Sequence, residues 1–268
     1  MKLQNKTLLI TGGASGIGRL MCRMALEKGA RAVVVWDVNQ SNMDAVVEEF
    51  SSLGKLYTFQ VDVTSAEQIA ATHAQMQQEG IEVDVLINCA GIVRGNATFD
   101  KQSLKDIDLT MAVNALAPMY VAREFLPAMI ARNEGHICNI ASAAGLIANP
   151  RMSVYAASKW AAIGWSESMR IELQESKSRV RVTTVMPYYI STGMFEGVQS
   201  RFLPILKPEK VARKVLRAIE RNKIMLGTPL GYHFIRICQA ILPLRWFDVF
   251  AKMLGIYSTM DNFTGRKA

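Results

Sequence analysis

Tyr155 and Lys159 stand four residues apart in VYAASKWAA, a run with the composition of a helix. Four residues is about one turn, so the two side chains share a helix face. A phenol ordinarily titrates near pH 10 and is a poor acid–base group at neutral pH. A lysine ammonium held beside it favours the phenolate. Reaching neutrality takes roughly 3 units, or about 4 kcal/mol. One ammonium in a dry cleft could supply much of that, and a second cationic group could add more. Ser142, thirteen residues before Tyr155, offers a hydroxyl that could hold an alcohol or carbonyl oxygen while the phenol moves its proton. A Tyr-x-x-x-Lys pair occurs on many surface helices, so its meaning depends on what precedes it.

What precedes it is TGGASGIG, Thr11 to Gly18, placed between the apolar run TLLI and the helically periodic RLMCRMALEKG. Strand, glycine turn and helix form the setting of a dinucleotide fingerprint. Gly12 permits the tight turn, Gly16 lets the backbone approach a pyrophosphate, and Gly18 lets the helix pack close to the sheet. The helix start around Ser15 and Ile17 offers free N–H groups to phosphates. VVVWD ends at Asp37, some twenty residues past the glycines. An acid there accepts hydrogen bonds from an adenosine ribose and repels a 2′-phosphate. No Lys or Arg stands at Ala14, Ser15, Val38 or Asn39 to welcome that phosphate, so NAD is favoured over NADP.

The glycine spacing is Gly-x-x-x-Gly-x-Gly, and with Thr11 in front it resembles the short-chain dehydrogenase/reductase family. The likeness runs from about Lys6 to the C-terminus. Asp62 and Val63 resemble the family's adenine-contacting pair. DVLINCAG is similar to its Asn-Asn-Ala-Gly motif, with Asn88, Ala90 and Gly91 in place and Cys89 where the second Asn stands. Asn114 in MAVNALA matches the helix asparagine that holds a proton-relay water. PYYIST, Pro187 to Thr192, matches the loop that meets the nicotinamide, where Ile190 and Thr192 would touch the carboxamide. Tyr188 replaces the usual Gly there and reshapes the substrate side. The resemblance implies a catalytic set of Asn114, Ser142, Tyr155 and Lys159. In it Tyr155 takes the hydroxyl proton while Ser142 steadies the oxygen. Lys159 lowers the Tyr155 pKa and holds the nicotinamide ribose. The segments TGMFEG, FLPILKPEKVARKVLRAI and GIYSTMDNF are similar to the retinol and 17β-hydroxysteroid dehydrogenase branch. Members of that branch usually begin with a hydrophobic anchor, which is not expected here. Family members commonly pair through the helices around Asn114 and Tyr155, which implies a homodimer or homotetramer.

The elements that must position these residues alternate along the chain. Strands are expected near Thr7, Ala32, Lys55, Asp84, His136 and Val180, with helices between and a last short strand at Ile224 to Thr228. That order predicts an α/β fold, a single-domain Rossmann-type doubly wound parallel sheet with a C-terminal helical extension. Residues 1–230 would form the NAD-binding and catalytic domain, and residues 231–268 an amphipathic extension rather than a second domain. Gly12, Asp37, Asn88, Ser142 and Pro187 all fall just past expected strand ends, where such sheets bind ligands. The length of 268 residues, half of them apolar, suits one substantial core. Cys22, Cys89, Cys138 and Cys238 are scattered, with no metal-site spacing, and read as reduced thiols of a cytoplasmic protein. His73, His136 and His233 lie outside the motifs and receive no catalytic role.

The net charge of +8 is uneven, with 13 Lys and Arg against 4 Asp and Glu from Arg201 onward. Lys210, Arg213, Lys214, Arg217 and Arg221 share one helix face opposite Val211, Val215, Leu216 and Ile219, the pattern of a solvated face. No basic–aromatic module accompanies it, so nucleic acid is not an expected partner. Further on, Phe234, Ile237, Cys238 and Ile241 share one face, and Trp246, Val249, Phe250 and Met253 another. Two readings stay open. The pair either rests on a membrane surface, with basic residues at the head groups, or covers the substrate cleft or a subunit interface. Leu146, Ile147, Met152, Tyr188, Met194, Phe195 and Phe202 are expected to line an apolar cleft for a hydrophobic substrate. The reading is reversible hydride transfer between NAD and a hydrophobic alcohol such as a retinoid or steroid. A 3-oxoacyl or small-carbonyl reductase and a non-catalytic NAD-binding regulatory or lipid-surface protein are the alternatives.

Overall fold

Runs such as TLLIT and AVVVWD lack polar alternation, as befits strands covered on both faces. In the computed structural model, which describes residues 1–265, they become β1 (Thr7–Thr11) and β2 (Ala32–Asp37). With β3 (Leu56–Gln60), β4 (Val85–Asn88), β5 (His136–Ile140), β6 (Arg181–Pro187) and β7 (Met225–Thr228) they form one parallel sheet, ordered β3-β2-β1-β4-β5-β6-β7. The expected Rossmann-type doubly wound architecture is present, including the last short strand.

Successive strand residues point to opposite faces and so feed two cores. Leu8, Ile10, Val33 and Val35 face one side. There they meet α1 (Gly16–Glu27), α2 (Gln40–Phe50) and α7 (Pro208–Glu220). Leu9, Val34, Trp36 and Leu86 face the other side, under α3 (Ala66–Gln78), α5 (Ala117–Ala131) and α6 (Ser153–Glu175). In α7 the buried residues include Val211, Val215, Leu216 and Ile219, the face read from the sequence. Past β7, α8 (Gly231–Ile241) and α9 (Leu244–Met253) set Tyr232, Ile235, Phe247 and Ala251 into a third cluster with Ala141, Ile163 and Met186.

The helix carrying Asn114 is not regular. α4 (Leu104–Met111) passes into a π-helical turn at Ala112–Leu116 before α5 begins. Pro118 supplies the cause, since it has no N–H to give the carbonyl of Asn114, four residues back, and its ring crowds that carbonyl. The wider turn absorbs the misfit and leaves Asn114 buried.

His136 opens β5 with no exposure, its Nε2 2.8 Å from the Thr183 hydroxyl and its Nδ1 without a partner. Burial pushes it down to about 3. Between that value and the ordinary 6.5 the unfolded chain binds a proton the native protein does not, so native stability falls as pH drops through the window. His136→Gln should make the fall in thermal midpoint from pH 6.5 to 4 shallower, measured by calorimetry across that range. An unchanged slope would remove His136 as a source of acid lability.

Candidate active site

A cleft of about 920 Å³ runs along the carboxyl ends of the strands. Its floor is the glycine turn. Gly12 sits at φ +65°, and a Cβ there would lie 2.9 Å from the Ala90 Cα. A Cβ on Gly18 would run into the Gly12 carbonyl oxygen. The two glycines therefore let the β1–α1 turn, the loop after β4 and the helix start occupy one small volume. The Thr11 hydroxyl oxygen accepts from the N–H groups of Cys89 (3.0 Å) and Ala90 (3.2 Å), bolting those loops together. That role for Thr11 is not apparent from the motif. Ser15 is extended and makes no side-chain cap, so it leaves the first-turn N–H groups of α1 to other partners. Such a cradle, shaped by absent side chains and edged by free N–H groups, fits a pyrophosphate.

Gly12, Ser15, Gly16, Ile17, Gly18, Asp37, Asp62, Val63, Ala90 and Gly91 all line this cleft. So do Pro187, Ile190 and Thr192, with the Thr192 side chain within 3.7 Å of a Cβ built on Gly16. The Asp37 carboxylate accepts from the N–H groups of Ala14 and Asn39, both at 3.1 Å, which fixes its position at the end of β2. Asn88 stands apart. Its amide turns into the fold and donates to Asn139 Oδ1 at 2.9 Å and the Pro118 carbonyl at 3.4 Å, away from the cleft. It ties β4 to β5 and to the start of α5.

Ser142, Tyr155 and Lys159 converge on the inner wall of the same cleft. Ser142 follows β5 and accepts from the Ala144 N–H at 3.2 Å. Asn114 lies behind them. Its Oδ1 accepts from the Ile92 N–H and its Nδ2 donates to the Ile92 carbonyl, both at 2.9 Å, and also to the Ser158 hydroxyl at 3.2 Å. Lys159 Nζ donates to the Ile140 carbonyl at 3.0 Å and lies 5.8 Å from the Tyr155 ring centroid. Burial is the dominant influence on both groups. Burial pushes the phenol up to about 12, partly offset by Ser142, and burial pulls Lys159 down to about 8. Desolvation disfavours the charged form of each. A further positive charge in the cleft would favour the phenolate.

Much of the remaining lining of the cleft is apolar. Ile147, Tyr188, Met194 and Phe195 line it as read from the sequence, and Phe195 meets the Tyr155 ring edge-on at 6.0 Å. Leu146, Met152 and Phe202 do not. Leu146 packs into the cluster beneath, Met152 is buried against Tyr155 and Tyr189, and Phe202 is exposed. The sequence reading missed Tyr189, Leu203, Tyr232, Ile235, Ile256 and Phe263, all of which line the cleft. The last two belong to a tail seated by Thr259, which hydrogen-bonds Asn149 (2.8 Å) and the Tyr189 hydroxyl (2.9 Å). No local periodicity signals a contact across so many residues.

Comparison with known proteins agrees with this geometry. Residues 6–201 match the family model for short chain dehydrogenases. The chain is 37% identical over 266 residues to mouse (Mus musculus) epidermal retinol dehydrogenase 2, covering 97% of this chain and 85% of that protein. It is 33% identical over 251 residues to estradiol 17-beta-dehydrogenase 11 of Macaca fascicularis, covering 93% and 83%. Among solved structures, a short chain dehydrogenase/reductase from Burkholderia phymatum in complex with NAD superposes with a TM-score of 0.79 at 25% identity, covering 94% of this chain and 96% of that one. A metagenomic short-chain oxidoreductase in complex with NADP gives 0.71 at 28%, covering 85% and 97%. The chain belongs to the short-chain dehydrogenase/reductase family. It is an oxidoreductase that uses a nicotinamide cofactor to interconvert alcohols and carbonyls.

The buried ammonium costs stability at neutral pH. A fall from 10.5 to about 8 corresponds to on the order of 3 kcal/mol. Between those values the native protein binds fewer protons than the unfolded chain, so stability rises with pH there. Lys159→Met should abolish turnover yet raise the thermal midpoint at pH 7, and that advantage should shrink between pH 8 and 10. A constant difference in midpoint across the range would refute the buried-charge account.

Proposed function

We propose that this protein oxidises a hydrophobic primary or secondary alcohol of retinoid or steroid size, and reduces the matching carbonyl, with NAD as the preferred cofactor. One observation carries the reading: Ser142 and Tyr155 line the same cleft as the glycine turn and as the apolar residues Ile147, Met194 and Phe195, with Phe195 6.0 Å from the Tyr155 ring. The glycine turn and the start of α1 would hold the pyrophosphate, Asp37 the adenosine ribose, and Asp62 with Val63 the adenine. Ala90, Gly91, Pro187, Ile190 and Thr192 would flank the nicotinamide, and Lys159 would hold its ribose. Asp37 favours NAD because its carboxylate, with no Lys or Arg at Ala14, Ser15, Val38 or Asn39, repels a 2′-phosphate.

When bound, the oxidised nicotinamide would supply a hydride acceptor and a positive charge in addition to that of Lys159. The chain's own residues do the rest. The Ser142 hydroxyl donates to the substrate oxygen and fixes it beside Tyr155. Tyr155 takes the proton as the alcohol is oxidised and returns it as the carbonyl is reduced. Lys159 keeps the phenolate in place, and Asn114 supports a water that passes the proton outward. Its carbonyl suits that role, since Pro118 has no N–H to give it. The phenyl and aliphatic walls from Phe195, Ile147 and Tyr232 exclude bulk water. Tyr120 on α5 and Trp160 and Ile171 on α6 are exposed, which suits pairing of two copies through those helices. The four free thiols suit a reducing compartment, and we place the enzyme in the cytoplasm.

Tyr155→Phe should lower kcat by about a thousandfold or more while leaving NADH binding, followed by its fluorescence, within about twofold. Near-normal turnover would overturn the assignment. Asp37→Ser should raise the NADP-to-NAD ratio of kcat/KM by about tenfold or more, and no change would return the cofactor question to other residues. A screen of retinol, estradiol and straight-chain alcohols, read by nicotinamide absorbance, tests the substrate class. Activity confined to small polar carbonyls or short ketoacyl compounds would displace the present reading.

A further inference from the structure

The α8–α9 pair has two apolar sides. Its inner side, with Tyr232, Ile235, Phe247 and Ala251 all at or below 2% exposure, packs onto the body, and Tyr232 and Ile235 form part of the cleft wall. Its outer side is apolar and uncovered. Leu230, Ile241, Leu244, Trp246 and Met253 each expose more than 70% of their surface, and Phe234, Ile237 and Val249 more than half. Large exposed apolar side chains occur elsewhere, but eight of the 22 among the described residues fall between Leu230 and Met253. A contiguous face of that kind marks a surface that something covers.

Charge decides what covers it. Arg236, Arg245 and Lys252 are exposed on the same two helices. Asp248 is the one acid there, and it accepts a hydrogen bond from the Tyr257 hydroxyl at 2.7 Å. Two copies meeting through this patch around a two-fold axis would bring the same three cations face to face. An anionic lipid surface presents the opposite charge beside the apolar layer that the exposed side chains require. Trp246 has the amphipathic ring favoured at that boundary. No helix among the described residues is long and apolar enough to cross a membrane, so the pair can lie in the interface but cannot span it.

We propose that the outer face of α8 and α9 docks the protein on anionic phospholipid bilayers. Docking would place the acyl layer against one side of a helix pair whose other side walls the cleft. An apolar alcohol dissolved in the bilayer would then reach Tyr155 without crossing bulk water, a consequence that rests on the substrate reading above. The docking itself does not.

Flotation of the full chain with phosphatidylcholine vesicles, alone or with about one-third phosphatidylserine, tests the surface directly. The wild type should float with the serine-containing vesicles and much less with phosphatidylcholine alone. Ile241→Glu with Trp246→Glu, and separately Arg236→Glu with Arg245→Glu, should each lower the floated fraction by about tenfold while NADH binding persists. Leu244→Ser with Met253→Ser, a milder change, carries the same test where the glutamates disturb folding. Failure of the wild type to float with either vesicle, or floating of the variants like the wild type, overturns the proposal. So does conversion of a soluble dimer to monomers by the Ile241 and Trp246 changes in the absence of vesicle binding, which would assign the face to a second copy. None of these readouts uses a substrate, so failure here and failure of the dehydrogenase reading are distinguishable.

Discussion

Tyr155 and Lys159 are both buried on the wall of one cleft, and the rest of the site is arranged around that constraint. Burial opposes the charged form of each group, moving the phenol up to about 12 and the ammonium down to about 8. The order in which they would release protons is thereby reversed from that of the free side chains. The Ile140 carbonyl, 3.0 Å from Lys159 Nζ, is a dipole rather than a charge and stabilises the ammonium only in part. On the proposed reading, proton abstraction is tied to cofactor occupancy, because a cationic ring beside Tyr155 is what tips the balance.

That arrangement needs backbone to come very close to side chains, which explains the distribution of small residues around it. A Cβ on Gly91 would stand 3.3 Å from Asn114 Oδ1 and 3.6 Å from Lys159 Nζ. The loop after β4 can therefore pass between the two only as glycine or with local give. Asn114 then clamps the next residue, Ile92, through both of its backbone groups. The π-turn forced by Pro118 helps bring Asn114 to that position. Sheet, loop and helix thus fix one another near the reacting atoms, and none of the three could be shifted alone.

The strand-end residues were legible in the sequence because their constraints are local. Gly12 and Gly18 are dictated by contacts within a few residues of themselves or with an adjacent strand end, and the motif spacing records this. Asn88 was less legible. It pairs in register with Asn139 on β5, and at a strand end a one-residue change of facing separates a ligand contact from an internal strut. Its amide took the second course. The burial of Tyr155 and Lys159 was illegible for a different reason: residue spacing places an ammonium near the phenol but says nothing of how much water both groups lose. Ile256 and Phe263 in the cleft wall depend on a tail that folds back onto Tyr189 and Asn149, and such a contact leaves no periodic trace.

The C-terminal helices show how a correct pattern can leave its meaning open. The apolar stripe of Phe234, Ile237 and Ile241 is plain in the sequence, and an apolar stripe ordinarily faces the core. Here it faces outward, while Tyr232 and Ile235, on the other flank of the same turn, take the inner side. Periodicity finds a stripe but cannot choose between two apolar flanks, and only contact with the body decides. The sequence-level choice between covering the cleft and meeting another surface is accordingly a false one. One flank of the pair does the first, and the second flank, left bare, is free to do the other. A helix pair with both flanks apolar costs solubility as an isolated feature. It makes physical sense where the molecule is two-sided, with a cleft for an apolar compound on one side and a reservoir of apolar compounds on the other.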